Sequence, residues 1–238
     1  MTEQKRGPED IPTAERMATL AAAKGSAIKH KLLGEEQTER GRQYTADAED
    51  VRTLVTQWPS APKKVELQIL EQCGPPNEAT PARLIWHRNG PWKRTELTRD
   101  EIVHNFPTAH TDFLTQYIDY AVPPEKAGEI TQFDGSCLVD RTAGEAAARC
   151  DSEAMNILTL NLMHDIVTGA KDVSQAREVY AENASAHVLG RSAPYTERLQ
   201  FSLPQQDTAD PDESIIGGPM GRQTAGKVKD ILVGNEQE

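Results

Sequence analysis

Two histidines and one aspartate, close together in the chain, are of types that could bind a metal ion. His104 and His110 flank the segment Asn-Phe-Pro-Thr-Ala, and Asp112 follows two residues after the second histidine. Two imidazoles and a carboxylate form a ligand set that suits zinc and related divalent transition metals. A spacing of six residues does not put both histidines on one helix face, so a loop has to bring them together. His87, in the preceding hairpin, is a candidate third histidine ligand.

The alternative interpretation of these residues is a polar loop whose histidines are satisfied by hydrogen bonds. The chain contains no His-Glu-x-x-His pattern or comparable metal signature. It also contains no nucleophile elbow, P-loop or dinucleotide-binding glycine pattern, so no cofactor is predicted beyond a possible divalent transition metal. A metal-dependent enzyme built around His104, His110 and Asp112 is therefore the second of two functional hypotheses.

The first and favoured hypothesis is a non-enzymatic binding or interaction protein that uses a tryptophan-bearing hairpin. Trp86 and Trp92 lie in one segment with Lys93 and Arg94, and an exposed tryptophan there would mark a binding surface. Trp86 beside Lys93 could also form a cation–π pair. The two tryptophans alternate in face, which predicts one in the core and the other at the surface. No motif identifies the protein or small-molecule partner.

The hairpin itself is predicted from Asn89-Gly90, a strong turn signal. Pro91 has no N–H to donate, which favours a four-residue loop from Arg88 to Pro91. His87 then lies opposite Trp92. Cross-strand aromatic packing is the favoured interpretation of His87, ahead of metal binding.

A third candidate site lies on a long apolar helix predicted from Ser152 to Val167. Asn161 and Asp165 are one turn apart on its narrow polar stripe, so they face the same way. On a mostly buried helix they need partners, and Arg141 or Arg149 of a second hairpin are the candidates. Such a group could line a binding pocket, although a structural ion pair is the simpler interpretation.

The three cysteines form no Cys-x-x-Cys pair, and their count is odd. In the second hairpin, a two-residue loop would put Cys137 opposite Cys150, whereas a three-residue loop with left-handed Gly144 would put Cys137 opposite Arg149. The position of the glycine favours the second register, so we expect no disulfide. Cys150 precedes a helix and could have a lowered pKa, but no histidine is near it in sequence.

The remaining elements follow from hydrophobic spacing and from Pro and Gly stops. Further helices are predicted over residues 51–58, 63–73, 111–118, 124–133 and 173–189. Strands are predicted over residues 81–87, 92–98, 101–104, 136–141 and 145–150. The predicted fold class is α+β: a small antiparallel sheet built from two hairpins and packed against helices, with disordered polar tails.

Composition places the folded unit in the middle of the chain. Hydrophobic residues make up 37% of the 238 residues and aromatic residues 5%, which is low for one compact domain. All aromatic residues lie between Tyr44 and Phe201. We therefore predict a polar, largely disordered tail over residues 1–50, a single α+β domain over 51–203 and a disordered acidic tail over 204–238. A helix from Ala14 to Leu33 is the less favoured alternative within the first tail.

Charge and hydropathy exclude several classes of partner. The net charge is -11 and the basic runs are short, which argues against nucleic acid. No run approaches the roughly 18 apolar residues of a membrane-spanning helix, and the N-terminus has no apolar signal-peptide core. With the cysteine pattern, these features predict an acidic, soluble, cytoplasmic protein with neither nucleic acid nor membrane as a partner.

Four segments of the middle region carry a family resemblance. They are Gly74-Pro75-Pro76-Asn77-Glu78-Ala79-Thr80-Pro81, Asn89-Gly90-Pro91-Trp92-Lys93-Arg94, His104-Asn-Phe-Pro and residues 151–169. In these segments the chain resembles bacterial proteins that carry no assigned activity. The resemblance covers about residues 51–201 and implies a bacterial source and a single domain, but no catalytic residue.

Overall fold

A computed structural model of the protein describes residues 11–33 and 43–209, together with Asp212 and Ile215. The helices are α1 (Thr13–Leu33), α2 (Ala48–Val55), α3 (Ser60–Cys73), α4 (Ala127–Phe133), α5 (Glu153–Thr168) and α6 (Val173–Val188). The strands are β1 (Glu78–Thr80), β2 (Arg83–His87), β3 (Arg94–His104), β4 (His110–Asp119), β5 (Cys137–Asp140) and β6 (Glu145–Cys150). Short 3-10 turns span Pro124–Lys126 and Pro194–Thr196.

The six strands form one antiparallel sheet in the order β1-β2-β3-β4-β6-β5. The predicted α+β class is therefore confirmed, with a larger sheet than two isolated hairpins would give. The strand register puts Leu84, Leu97 and Leu114 on the same face of the sheet as Ile118 and Ala146, so the two hydrophobic clusters lie side by side on that face. Phe113 of β4 packs with α2 and α3 in one cluster, whereas Ile118 packs with α4, α5 and α6 in the other.

Strand β4 replaces the helix that the sequence predicted over residues 111–118. The apolar residues there have a helical spacing, which favoured that prediction. The structure shows residues 112–116 and Ile118 buried on a central strand. Phe113 and Thr115 are buried as well as the alternate residues Asp112, Leu114, Gln116 and Ile118, so the usual alternation of buried and exposed residues is lost. The helix prediction is wrong for this physical reason.

The first hairpin forms where the sequence predicted it, but its register differs. His87 pairs with Arg94, not with Trp92, and the loop runs over residues 88–93. The Arg88 N–H donates to the Lys93 carbonyl at 3.0 Å, and that hydrogen bond closes the longer loop. Trp92 therefore has no partner in the β2–β3 pairing and packs in the hydrophobic cluster that contains residues of α5. The cross-strand packing predicted for His87 and Trp92 is wrong.

The second hairpin also has a longer loop than either predicted alternative. Cys137 pairs with Ala148, and the loop covers residues 141–144. Gly144 is left-handed as predicted, with φ of 59°. Cys137 and Cys150 are both free, so the expected absence of a disulfide between them is confirmed.

Helix α1 lies where the sequence analysis favoured disorder over a helix. It runs without a break through Gly25, and nearly all its described side chains are exposed. Most of the remaining tail residues lie outside the described part of the chain. Among the described helices, none has the length and hydropathy needed to cross a bilayer.

The N-termini of α5 and α6 are capped differently. Helix α5 begins at Glu153 with Ser152 at its N-cap position, and the Ser152 side chain forms no capping hydrogen bond. Helix α6 begins with a capping box, in which Asp172 and Gln175 each bond the other's backbone N–H.

Candidate metal centre

The β3–β4 hairpin places the two candidate histidines next to each other. His104 is the last residue of β3, His110 is the first of β4, and the two are direct cross-strand partners. The five residues between them form the connecting loop, which contains a cis peptide bond before Pro107. The imidazole centroids lie 5.1 Å apart. Asp112 follows two residues after His110 on β4, so both side chains point to the same face of the sheet.

The carboxylate of Asp112 lies between the two imidazoles. His110 Nε2 is 3.0 Å from Asp112 Oδ1, and His104 Nδ1 is 3.4 Å from Asp112 Oδ2. One ligand atom from each of the three residues lies within 4.8 Å of the other two. Nitrogen and oxygen ligands of a tetrahedral zinc ion are about 3.3 Å apart. Each of the two distances is close to that value, although they end on different oxygens of Asp112.

Each imidazole has a second nitrogen, its outer nitrogen, that does not face Asp112. This outer nitrogen faces an oxygen atom of another residue. His110 Nδ1–H donates to the Thr108 carbonyl at 2.8 Å, because a carbonyl oxygen can only accept. His104 Nε2 faces Asp134 Oδ1 at 3.6 Å. Metal-binding histidines commonly present their second nitrogen to a carbonyl or carboxylate, which sets the tautomer and the ring orientation.

Asp112 is fully buried, with 0% of its surface exposed. Its Oδ2 accepts a short hydrogen bond from the Ser136 hydroxyl, but Oδ1 has no hydrogen-bond partner. Arg149 Nε lies 3.9 Å from Oδ2 and also has no hydrogen-bond partner. A buried carboxylate is costly unless a positive charge lies beside it. A metal ion or a protonated imidazole next to Oδ1 would supply that charge.

Asp134 and Ser136, on the turn between α4 and β5, contact the residues of the centre without belonging to the three-residue group. The Ser136 N–H donates to Asp134 Oδ1 at 2.7 Å, while the Ser136 hydroxyl holds Asp112. Burial raises the pKa of Asp134, opposed by the Ser136 N–H and by His104. The turn therefore fixes the carboxylate that faces the outer nitrogen of His104.

Cys150, the last residue of β6, lies beside the centre. Its Sγ is 3.3 Å from His110 Nε2. Burial raises the pKa of this thiol, so the lowered pKa considered in the sequence analysis is wrong. A histidine is nevertheless adjacent to Cys150 in space, although the two residues are 40 apart in sequence.

A pocket of about 590 Å³ opens above His110 and Cys150. Its walls come from α3, α6 and the start of α5, and most of the side chains are apolar. They include Val65, Met155 and Tyr180. The pocket gives solvent and small molecules a route to the edge of the centre.

His87 lies far from this centre. It pairs with Arg94, and the β4 partners of Arg94 and His104 are seven residues apart, which corresponds to about 23 Å at the usual rise of a strand. His87 Nε2 contacts Glu78 at 2.6 Å. The proposed third histidine ligand is therefore not part of the group.

The two candidate tryptophans do not form a surface. Trp86 and Trp92 are each 2% exposed and belong to different hydrophobic clusters. The expectation that one of them is exposed is wrong. Trp86 donates its indole N–H to the Gly74 carbonyl at 2.9 Å, which satisfies the polar atom of a buried ring.

Lys93 and Arg94 bind carboxylates of the sheet. Lys93 Nζ lies 3.0 Å from Asp119, and Arg94 forms two hydrogen bonds to Glu145 at 2.8 and 2.7 Å. The Arg94 guanidinium also stacks 3.5 Å from the centroid of the Tyr117 ring. The cation–π pair of this region therefore involves Arg94 in place of Lys93.

Asn161 and Asp165 bind residues just before and after α6, not an arginine of the second hairpin. Asn161 Nδ2 donates to the carbonyls of Tyr195 and Arg198, both at 2.9 Å. Asp165 accepts from Lys171 Nζ at 2.7 Å and from the Tyr195 hydroxyl at 2.9 Å. Both residues have structural partners, and the predicted pairing with Arg141 or Arg149 is wrong.

Sequence reasoning missed three residues of the centre: Asp134, Ser136 and Cys150. Each comes from a segment that reaches the β3–β4 hairpin only through the tertiary fold. The single usable signal was the Asp-Gly-Ser-Cys sequence at residues 134–137, which is polar where it enters a predicted strand.

Comparisons of the chain with family models, curated proteins and solved structures give no match. The interpretation of the centre therefore depends on its geometry.

Proposed function

We propose that this protein binds a divalent transition metal ion, with zinc as the first candidate, through His104, His110 and Asp112. The observation that carries the proposal is the orientation of the two imidazoles. Each turns one nitrogen toward the buried Asp112 carboxylate, at 3.4 and 3.0 Å, and the other toward an outer oxygen atom. A polar loop has no need to aim two imidazoles at one buried carboxylate that keeps an unpartnered oxygen.

The ligand types narrow the class of metal. Imidazole suits zinc, copper, nickel and iron(II), whereas magnesium and calcium prefer all-oxygen shells. Two histidines and one carboxylate also form three-ligand zinc sites that leave a position for water or substrate. The ion would compensate the buried charge of Asp112, because it would lie beside the unpartnered Oδ1.

The test is the metal content of untagged protein by elemental analysis, with calorimetric titration of zinc into chelator-treated protein. We expect one equivalent of zinc to bind. His110→Ala and Asp112→Asn should weaken binding by at least about 100-fold, since each removes a ligand. His87→Ala is the matched control and should bind zinc like the wild type. A wild-type protein that takes up no stoichiometric zinc, cobalt or nickel would overturn the proposal.

Metal-dependent hydrolysis is a second candidate function, favoured by the pocket above His110. Zinc lowers the pKa of bound water to about 7 and so supplies a nucleophile at neutral pH. The check is a panel of ester, amide and phosphoester substrates, assayed with zinc-loaded protein. Turnover should disappear on chelation and in His110→Ala, and turnover that survives both changes would exclude this centre.

A further inference from the structure

The strand register places Cys150 on the same face of the sheet as the metal centre. Cys150 of β6 is the direct partner of Leu114 on β4, and opposite residues of an antiparallel pair project to one face. Leu114 is two residues from Asp112, so those two side chains also share a face. The backbone alone therefore brings the thiol to the side of the sheet that carries Asp112 and His110.

Two further atoms that can bind a metal ion lie close to His110 Nε2. Asp112 Oδ1 is 3.0 Å away and Cys150 Sγ is 3.3 Å away. A zinc–sulfur bond of about 2.3 Å and a zinc–nitrogen bond of about 2.0 Å give a tetrahedral sulfur–nitrogen separation near 3.5 Å. The observed separation is close to that value. The unpartnered Oδ1 of the fully buried Asp112 independently marks this point as a place for a cation.

We propose that Cys150 is the fourth protein ligand and completes a tetrahedral site with His104, His110 and Asp112. This inference rests on the proposed function, since it requires that a metal ion binds there. It assigns Cys150 a role in metal selection.

The coordination step is an exchange of a proton for a metal ion. The Cys150 S–H bond breaks, a bond forms from Sγ to the divalent cation, and the proton leaves to solvent through the pocket that Cys150 lines. No electron is transferred. Cys150 Sγ lies beside His110 Nε2 but outside the group of His104, His110 and Asp112 atoms that are all within 4.8 Å of one another, so it has to turn toward the ion as it coordinates.

Asp134 is the competing candidate for the fourth position, and the geometry argues against it. Its Oδ1 faces His104 Nε2, whereas Asp112 lies beside Nδ1 on the other side of the same ring. Asp134 is therefore positioned to orient His104. Cys150, in contrast, approaches the same nitrogen of His110 that faces Asp112.

A thiolate ligand changes which ions the site prefers. Soft sulfur donors favour zinc, cobalt and copper(I) over magnesium, calcium and manganese, which prefer oxygen donors. With four protein ligands the site would be closed, as in zinc sites whose role is structural. Hydrolysis at this centre would then require a fifth position or the displacement of the thiolate.

The test is absorption spectroscopy of the full chain loaded with cobalt(II). Thiolate coordination gives an intense near-ultraviolet sulfur-to-cobalt band, separate from the visible bands of tetrahedral cobalt. We expect this band in the wild type and in the matched controls Cys73→Ser and Cys137→Ser. In Cys150→Ser the sulfur band should be lost while cobalt still binds, with zinc affinity weakened about 10–100-fold.

The outcomes separate the two proposals. A wild type that binds one cobalt without the sulfur band would overturn the role of Cys150 and leave the three-residue site in place. Failure to bind cobalt or zinc at all would overturn both. Zinc should also protect Cys150 from alkylation in the wild type, and equal labelling with and without zinc would count against coordination even if Cys150→Ser failed to fold.

Discussion

Asp112 and Glu66 show two different situations of a buried carboxyl group. Asp112 has two imidazoles and a guanidinium nearby, so a positive charge can compensate it. Glu66 on α3 is 3% exposed, and its Oε1 has no hydrogen-bond partner. Burial raises the pKa of Glu66, and the more distant Arg52 opposes the shift only in part. The first carboxyl suits a binding role, whereas the second lowers the free energy of unfolding.

Replacing Glu66 by Gln should stabilise the protein at neutral pH. A raised pKa in the folded state means that the native protein holds more protons than the unfolded chain, so stability falls as pH rises through the range above the ordinary value of 4.5. Glu66→Gln removes this charge, and we expect a gain of about 1 kcal/mol at pH 7 that disappears near pH 4. Urea unfolding across this pH range measures the effect.

The matched control is Glu71→Gln, which changes an exposed residue of the same helix. Its stability should differ from the wild type by no more than about 0.5 kcal/mol at any pH. A loss of stability for Glu66→Gln that is larger at pH 7 than at pH 4 would show that the carboxylate has a favourable partner.

Among the elements, α5 holds the C-terminal part of the described chain in place. Asn161 is 2% exposed and bonds three backbone groups of the segment after α6. Two of these are carbonyls, and the third is the Gln200 N–H, which donates to Asn161 Oδ1 at 2.8 Å. One side chain therefore satisfies much of the backbone of a segment that forms no regular sheet or long helix.

Asn161→Ala should release this segment. Three partly buried backbone groups would lose their partner, at a cost of about 2–4 kcal/mol. We expect a lower melting temperature and faster proteolysis between residues 191 and 203, with far-ultraviolet circular dichroism largely unchanged. Asn183→Ala is the control, since Asn183 bonds only the Val179 carbonyl of its own helix. Unchanged proteolysis in Asn161→Ala would show that apolar packing alone retains the segment.

The helices and strands differ in how well the sequence predicts them. Helices α5 and α6 and both hairpins follow from apolar spacing and from Gly and Pro signals, because these are local properties. Strand β4 does not, because its run of consecutive buried residues depends on packing against distant parts of the chain. The hairpin registers also differ, since tertiary packing of Trp92 selects a longer loop than the turn residues alone favour.

The residues of the candidate centre also differ in how well the sequence predicts them. His104, His110 and Asp112 are close in sequence, so their types and spacing predict a group. Ser136 and Cys150 join it from 24 and 40 residues further along the chain, measured from Asp112 and His110. Ser136 and Cys150 are close to the centre because β4 pairs with β6, and no local sequence pattern predicts that pairing. A ligand shell assembled across strands is for this reason only partly visible in the sequence.

For the whole molecule, two hydrophobic clusters lie side by side on the sheet and depend on different parts of the chain. The cluster that contains Phe113 needs α2 and its following turn, because Val51, Val55 and Trp58 are at most 4% exposed. Trp58 also donates its indole N–H to the Pro81 carbonyl at 3.0 Å. Helix α1 belongs to neither cluster, and nearly all its described side chains face solvent.

Truncation should therefore separate a dispensable segment from a necessary one. A chain that starts at residue 43 retains α2, and we expect its melting temperature to lie within about 2 °C of the full chain. A chain that starts at residue 59 loses three buried side chains, each worth about 1.5–3 kcal/mol. It should unfold at a much lower temperature and bind dyes that recognise exposed apolar surface. A large destabilisation of the chain that starts at residue 43 would instead show that α1 packs on the domain, and its exposed face would then need a new explanation.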